Sequence, residues 1–313
     1  MPTSHARVRR SARRQVTIRI AACVLAAGGM FAGACTATNT QHTNTASVAG
    51  TESSIHSSSL LRAATDHEAL YTLAGGLKPM STGIWSSSFR VDEPDLTELR
   101  HARAALAPLR NQLWYADIQV FDNIHDGSRS AHAFIVHRAA LSRMMERYNE
   151  FWSAWGITPC THPAEIVAVV DRMPRPDRWR AYGYLFGYPA YAVDFFVQAG
   201  LAAQDGRDVG PGKDRQFIHI PTYAADTGRF TYAVPLDHTQ SAADEAIAHE
   251  AARILAAYTE QRDRMGDARG MIRELERMNR RFKPSAARAA EAASKAEPEA
   301  ALGGTTDAVL DAR

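Results

Sequence analysis

The side chains best suited to acid–base or metal chemistry in this chain of 313 residues lie between His219 and Glu250. His249-Glu250 opens the pattern H-E-x-x-H, in which two imidazoles one helical turn apart hold zinc while the glutamate handles a water. The fifth position is Arg253, whose permanent charge and lack of an acceptor bar it from ligating a metal. Glu245 lies one turn before His249, and His238 lies shortly upstream. His238, Glu245, His249 and Glu250 could form a ligand set or an acid–base set. The same spacing also suits surface neighbours on an amphipathic helix. No complete metal-ligand pattern occurs, so neither a metal nor a cofactor is expected.

His219 is a further candidate, since it shares a strand face with Tyr223. His132 and His137 fall on opposite faces of a strand and cannot join one site. Lys78 and Ser81, in the LKPMST turn, reverse the order of S-x-x-K and are not a nucleophile pair by sequence. Gly210-Pro211-Gly212-Lys213 lacks the upstream glycine and the following Ser or Thr of a phosphate-binding loop. No G-x-S-x-G or G-x-G-x-x-G occurs. Cys160 is the only cysteine after residue 35 and is expected to be a small buried residue. Eight aromatic side chains fall between Trp179 and Phe196. Tyr184, Tyr188 and Tyr191 keep helical spacing and suit either core packing or an aromatic wall for a flat or sugar-like ligand.

The first 34 residues carry six arginines and no acid. They read as a signal peptide: a basic start, then an apolar run from Ile20 to Ala34. That run is shorter than the roughly 18 residues of a membrane-spanning helix. Ala32-Gly33-Ala34-Cys35 resembles the lipobox of bacterial lipoproteins, small residues followed by cysteine. The usual Leu three positions before the cysteine is replaced by Ala32. The resemblance covers only the export segment. It implies a diacylglyceryl thioether on Cys35, a palmitate-type acyl chain on its amine and attachment to a lipid bilayer. Ala32-Gly33-Ala34 equally suits plain signal cleavage and a secreted or periplasmic soluble product. Thr36, rather than Asp, points to the outer membrane if the host has one.

Without the signal, 30 basic side chains face 34 acidic ones. A body at −4 has no overall attraction to nucleic acid. Residues 36–59 hold six Thr and six Ser, and 35–59 therefore read as a lipidated cysteine with a flexible tether. Residues 284–313 contain eleven alanines and no aromatic residue, an Ala-rich tail with nothing to make it dock.

Between them, 60–283 form one globular domain. Helical periodicity runs from Leu60 to Leu73, from Pro94 to Leu109 with a bend at Pro108, and over 138–155 and 163–173. Two helices meet at Gly187–Pro189, and two more cover 241–264 and 267–282, the first capped by Ser241 with Asp244. Strands are predicted at 114–121, 131–137, 216–223 and 229–234. The result is an α+β class with about four antiparallel strands and eight helices. The expected role is an exported, membrane-anchored lipoprotein that binds a ligand or an envelope partner. The alternative is an envelope hydrolase using the His and Glu residues of 238–250.

Overall fold

The segment from Ser128 to His137 ends in the apolar run Ala133 to Val136, buried on both faces, which makes it the centre of a sheet. A computed structural model describes residues 49–227 and 230–295. The predicted signal peptide 1–34, Cys35, the first part of the tether, Gly228, Arg229 and residues 296–313 lie outside the described residues. Ten α-helices and five strands follow in the order α1 (Ala49–Asp66), α2 (Ala69–Leu73), β1 (Met80–Arg90), α3 (Thr97–Ala105), β2 (Trp114–His125), β3 (Ser128–His137), α4 (Arg138–Arg147), α5 (Asn149–Ala154), α6 (Pro163–Arg172), α7 (Arg175–Leu185), α8 (Ala190–Gln204), β4 (Arg215–His219), β5 (Thr231–Pro235), α9 (Ala242–Gln261) and α10 (Ala268–Lys295). A short 3-10 turn at Ala107–Leu109 bends the chain at Pro108.

The strands form a three-stranded antiparallel sheet, β1-β3-β2, and a separate antiparallel pair, β4-β5. The class is α+β. Successive β3 residues point to opposite faces. Ala133 and Ile135 join a core with α1, α2, α9 and α10. Phe134 and Val136 join a second core with Met145, Trp152, Val170 and Leu185. The sheet is thus the wall between two helical layers. Each large apolar side chain fully buried there contributes roughly 1.5–3 kcal/mol.

Several boundaries differ from the sequence reading. Strand β1 has no counterpart in it, because MSTGIWSSSFR is rich in serine and carries a glycine. β1 nevertheless pairs from Met80 with Val136 to Arg90 with Ser128, with a register shift between Thr82 and Ser86. Helix α1 starts at Ala49, inside the segment taken for a tether. Ser57 is buried, and Ser58 Oγ accepts a bond from the Ala268 N–H at 3.0 Å. Tertiary partners therefore order a stretch whose composition alone would not fold. Helix α10 runs past 283 to Lys295 through Pro284. Ala286 and Ala289 are buried there, because a small side chain lets α10 approach Gly75 closely: a Cβ at Gly75 would sit 3.4 Å from that of Ala286. Cys160 is exposed, not buried. Among the described residues no helix is long and apolar enough to cross a membrane.

Candidate functional site

Helix α9 starts as its sequence requires. Ser241 accepts from the Asp244 N–H, and the Asp244 carboxylate accepts from the Ser241 N–H at 2.8 Å, closing a capping box. Asp244 is fully buried. Its Oδ1 accepts from the hydroxyls of Tyr191 and of Tyr232, the latter at 2.6 Å. Its Oδ2 accepts from His238 Nε2 at 2.9 Å and Ser241 Oγ at 2.7 Å. Burial alone would raise this carboxyl group, but the bonds from Tyr191, Tyr232, Ser241 and His238 outweigh it and hold it below the usual range. Five donors occupy the acceptor sites of one carboxylate, which leaves no lone pair aimed at a metal or a substrate proton. The tyrosines are pushed up in turn, by burial first and then by the carboxylate.

The remaining candidates of this region scatter. Glu245 and His249 are exposed on α9. Glu250 turns inward, accepting from Arg253 at 2.8 Å and Ser285 at 2.6 Å. His219 ends β4 against Thr231 at 2.9 Å, while Tyr223 lies beyond the strand, under Arg262. Of the five, His238 and Glu250 join buried polar groups, and these are separate: His238 pairs with Asp244, which the sequence marks as a helix cap, and Glu250 with Arg253 and Ser285. No group of three His, Cys, Asp or Glu side chains able to hold a metal occurs among the described residues.

The LKPMST turn behaves differently. Lys78 is buried at 1% exposure. Its Nζ lies 3.5 Å from Glu68 Oε2 and over three ring faces, at 4.5 Å from Phe230, 5.3 Å from Phe186 and 5.9 Å from Tyr188. Burial pushes the ammonium down from its ordinary value, against the pull of Glu68. Aromatic faces supply part of the solvation that water would give a cation. Beside this pair, Thr72 and Ser81 share a hydrogen bond of 2.8 Å.

The turn that buries Lys78 also builds a concave surface. Gly76 adopts φ +70°, and a Cβ there would lie 2.8 Å from the His137 ring. Gly187 adopts φ +74°, and a Cβ there would lie 3.0 Å from the Leu77 carbonyl oxygen. Both positions need glycine, for the backbone angle and for the close approach. Where they meet, Gly76, Pro79, Gly187 and Tyr188 border a cleft whose other walls include Arg143, Met144, Arg147, Tyr148, Tyr184 and Ala290. Its water-accessible volume is about 30 Å³, room for about two water molecules. Tyr148 and Tyr184 stack at 3.7 Å, and burial raises Tyr148 to about 12. Arg147 reaches the Ala290 carbonyl of α10 at 2.8 Å. Arg143 is pushed down by burial and by the charge of Arg147, with Glu146 opposing. No carboxylate lines the cleft.

His137 lies behind Gly76. Its Nδ1 accepts from the Ala140 N–H at 3.1 Å and its Nε2 faces Asn279 Oδ1 at 2.9 Å. Both ring nitrogens are engaged. Burial keeps the imidazole below its usual value, the Asn279 bond opposes, and the charges of Arg143 and Lys283 add to the lowering. His137 is a neutral strut, not a free base.

The structure brings Tyr184 and Tyr188 to one cleft and separates Tyr191, which belongs to Asp244. The helical spacing of the three is broken at Gly187. Arg143 and Arg147 were missed, since arginines on an amphipathic helix carry no signal of their own; their i,i+4 spacing on α4 was the one available hint. No family model matches the chain, and neither a curated protein nor a solved structure matches it.

Proposed function

We propose that the protein is an exported, lipid-anchored binding protein whose cleft between α4, the Gly76–Pro79 turn and Tyr188 takes a small anionic ligand, a carboxylate or a phosphate. One observation carries the ligand class: two neighbouring guanidiniums, Arg143 and Arg147, line the cleft with no carboxylate among its walls. Like charges at close range disfavour each other, and an anion between them relieves that cost. Guanidinium forks suit planar, bidentate anions, and the tyrosine hydroxyls add donors. The cleft's small volume makes acetate or phosphate the fitting scale, with larger anions requiring the α10 end at Ala290 to move.

The export reading is supported by the Arg-rich start, the apolar run and the lipobox-like Ala32-Gly33-Ala34-Cys35. Mass spectrometry of the mature N-terminus tests it. A diacylglyceryl group on Cys35 is expected; an unmodified Cys35 or Thr36 start contradicts anchoring.

Titration calorimetry with phosphate, acetate and benzoate tests the cleft. At least one should bind, and Arg143→Ala with Arg147→Ala should weaken it at least about tenfold, as expected for losing charge-assisted bonds. His249→Ala should leave binding unchanged. Binding that ignores the arginine changes, or hydrolase turnover lost in His249→Ala, contradicts the reading.

A further inference from the structure

The net charge of −4 conceals a segregated surface. Helix α10 turns Met271, Leu275, Met278, Phe282 and Ala286 into the core. At 3.6 residues per turn its outer side carries Arg269, Arg273, Arg277 and Arg280, all exposed, with the half-buried Glu276 as the one acid among them. Arg281, Lys283 and Arg288 are exposed along its flanks. Of the four central arginines, only Arg277 forms an ion pair among the described residues, with Glu274. At the near end, Arg264, Arg273 and Arg277 border a hollow of about 340 Å³. Its two acids are engaged, Glu274 by Arg277 and Asp267 by the Gly270 N–H at 2.9 Å.

A second observation orients this face. Ser58 of α1 holds the Ala268 N–H at the start of α10. The chain leading back towards Cys35 therefore meets the body beside the basic helix, and α1 continues to Ala49, about 13 Å further along the helix axis at 1.5 Å per residue. An anchor on Cys35 would hold the body by this corner.

We infer that the outer face of α10 rests on an anionic phospholipid surface. The ligand chemistry is the phosphate of the headgroup: Arg264, Arg273 and Arg277 border the hollow, which is roomy enough for a headgroup with its surrounding water. The face carries no exposed large apolar side chain, so the contact is peripheral and does not insert. Export, on the reading above, takes the chain away from nucleic acid and towards lipid phosphate. The inference is independent of what the cleft binds.

The test uses the full chain with Cys35→Ser, so that no acyl chain contributes. It is sedimented with vesicles of phosphatidylcholine alone and of equal parts phosphatidylcholine and phosphatidylglycerol. Each arginine near an anionic surface is worth roughly fivefold in affinity. The anionic vesicles should therefore bind better, and Arg269→Gln, Arg273→Gln, Arg277→Gln and Arg280→Gln together should remove roughly several hundredfold, leaving phosphatidylcholine binding unchanged. A control with Arg100→Gln, Arg172→Gln, Arg175→Gln and Arg207→Gln changes the net charge equally at exposed sites elsewhere and should keep the preference. All eight positions are exposed, and unchanged circular dichroism certifies the fold. A preference that survives in the α10 variant, one lost equally in the control, or tighter binding to duplex DNA than to anionic vesicles would overturn the inference.

Discussion

Two buried charges, Asp244 and Lys78, sit in the same molecule and are solvated in opposite ways. Asp244 is met by five hydrogen-bond donors. Lys78 is met by one carboxylate at 3.5 Å and three aromatic faces. The first arrangement is closed: it fixes the start of α9, the position of His238 and the β5 side of the core. The second is thinly satisfied and adjoins a concave surface through Tyr188, which faces both Lys78 and the cleft. The comparison teaches that the polar cluster nearest the suggestive His-Glu motif is scaffolding, while the proposed binding cleft adjoins the junction of the Gly76–Pro79 turn with Gly187–Tyr188.

The largest expected effect separates the two by mutation. Asp244→Ala strands two tyrosines, a histidine and the helix cap, and should cost about 3–5 kcal/mol in urea unfolding. Lys78→Met should cost a similar amount, because Glu68 is then buried without its partner. The distinction lies in rescue. Adding Glu68→Gln to Lys78→Met should recover most of the loss, since an apolar and neutral pair replaces a buried ionic one. No single added change should rescue Asp244→Ala. Rescue of both, or of neither, would break the contrast.

Stability against pH sharpens it. Asp244 has its folded value below the ordinary 3.8, so its contribution is present above that pH and is lost as pH falls through the lowered folded value. Lys78 has its folded value below the ordinary 10.5. The unfolded chain then binds the extra proton in the window below 10.5, and stability should rise with pH there. Glu68 and Tyr188 face this ammonium, and buried tyrosines, raised in the fold, reverse the trend above about pH 10. Lys78→Met should flatten the rise on the alkaline side and leave the acid limb unchanged; denaturant midpoints measured across the pH range check both.

A smaller effect comes from Tyr232→Phe, which removes one of five donors to Asp244 and should cost about 1–2 kcal/mol. The smallest comes from Glu245→Ala and His249→Ala on the exposed side of α9, each within about 0.5 kcal/mol of the parent by thermal unfolding. A large loss at either would restore the His-Glu motif to importance.

Much of the scaffold is legible in the sequence. The α9 capping box, the Gly187 stop before α8, the bend at Pro108 and strands β2, β3 and β5 follow from local patterns that the packed structure keeps, whereas β4 ends at His219, short of the predicted Tyr223. Strand β1 is not legible, because its order comes from pairing with β3 and its own residues resemble a loop. The ends of the domain were misplaced for a related reason: Ser57, Ser58, Ala286 and Ala289 have weak local signals and acquire partners only in the assembled fold. The candidate site was half legible. Tyr184 and Tyr188 stood out as aromatics, but Lys78 was set aside because S-x-x-K fails in order. The burial of Lys78 depends on Glu68, Phe186 and Phe230, which no local window contains together. The arginines of the cleft carry no local signal, and Arg147 meets its partner, the Ala290 carbonyl of α10, only in the assembled fold.

The most direct test of the proposed anion site is a crystal of the protein soaked in selenate, with the anomalous signal locating the anion. An anion between the guanidiniums of Arg143 and Arg147, in contact with the tyrosine-lined wall, is the predicted result. A cleft without selenate, with the anion held instead at His238 and His249, would contradict it.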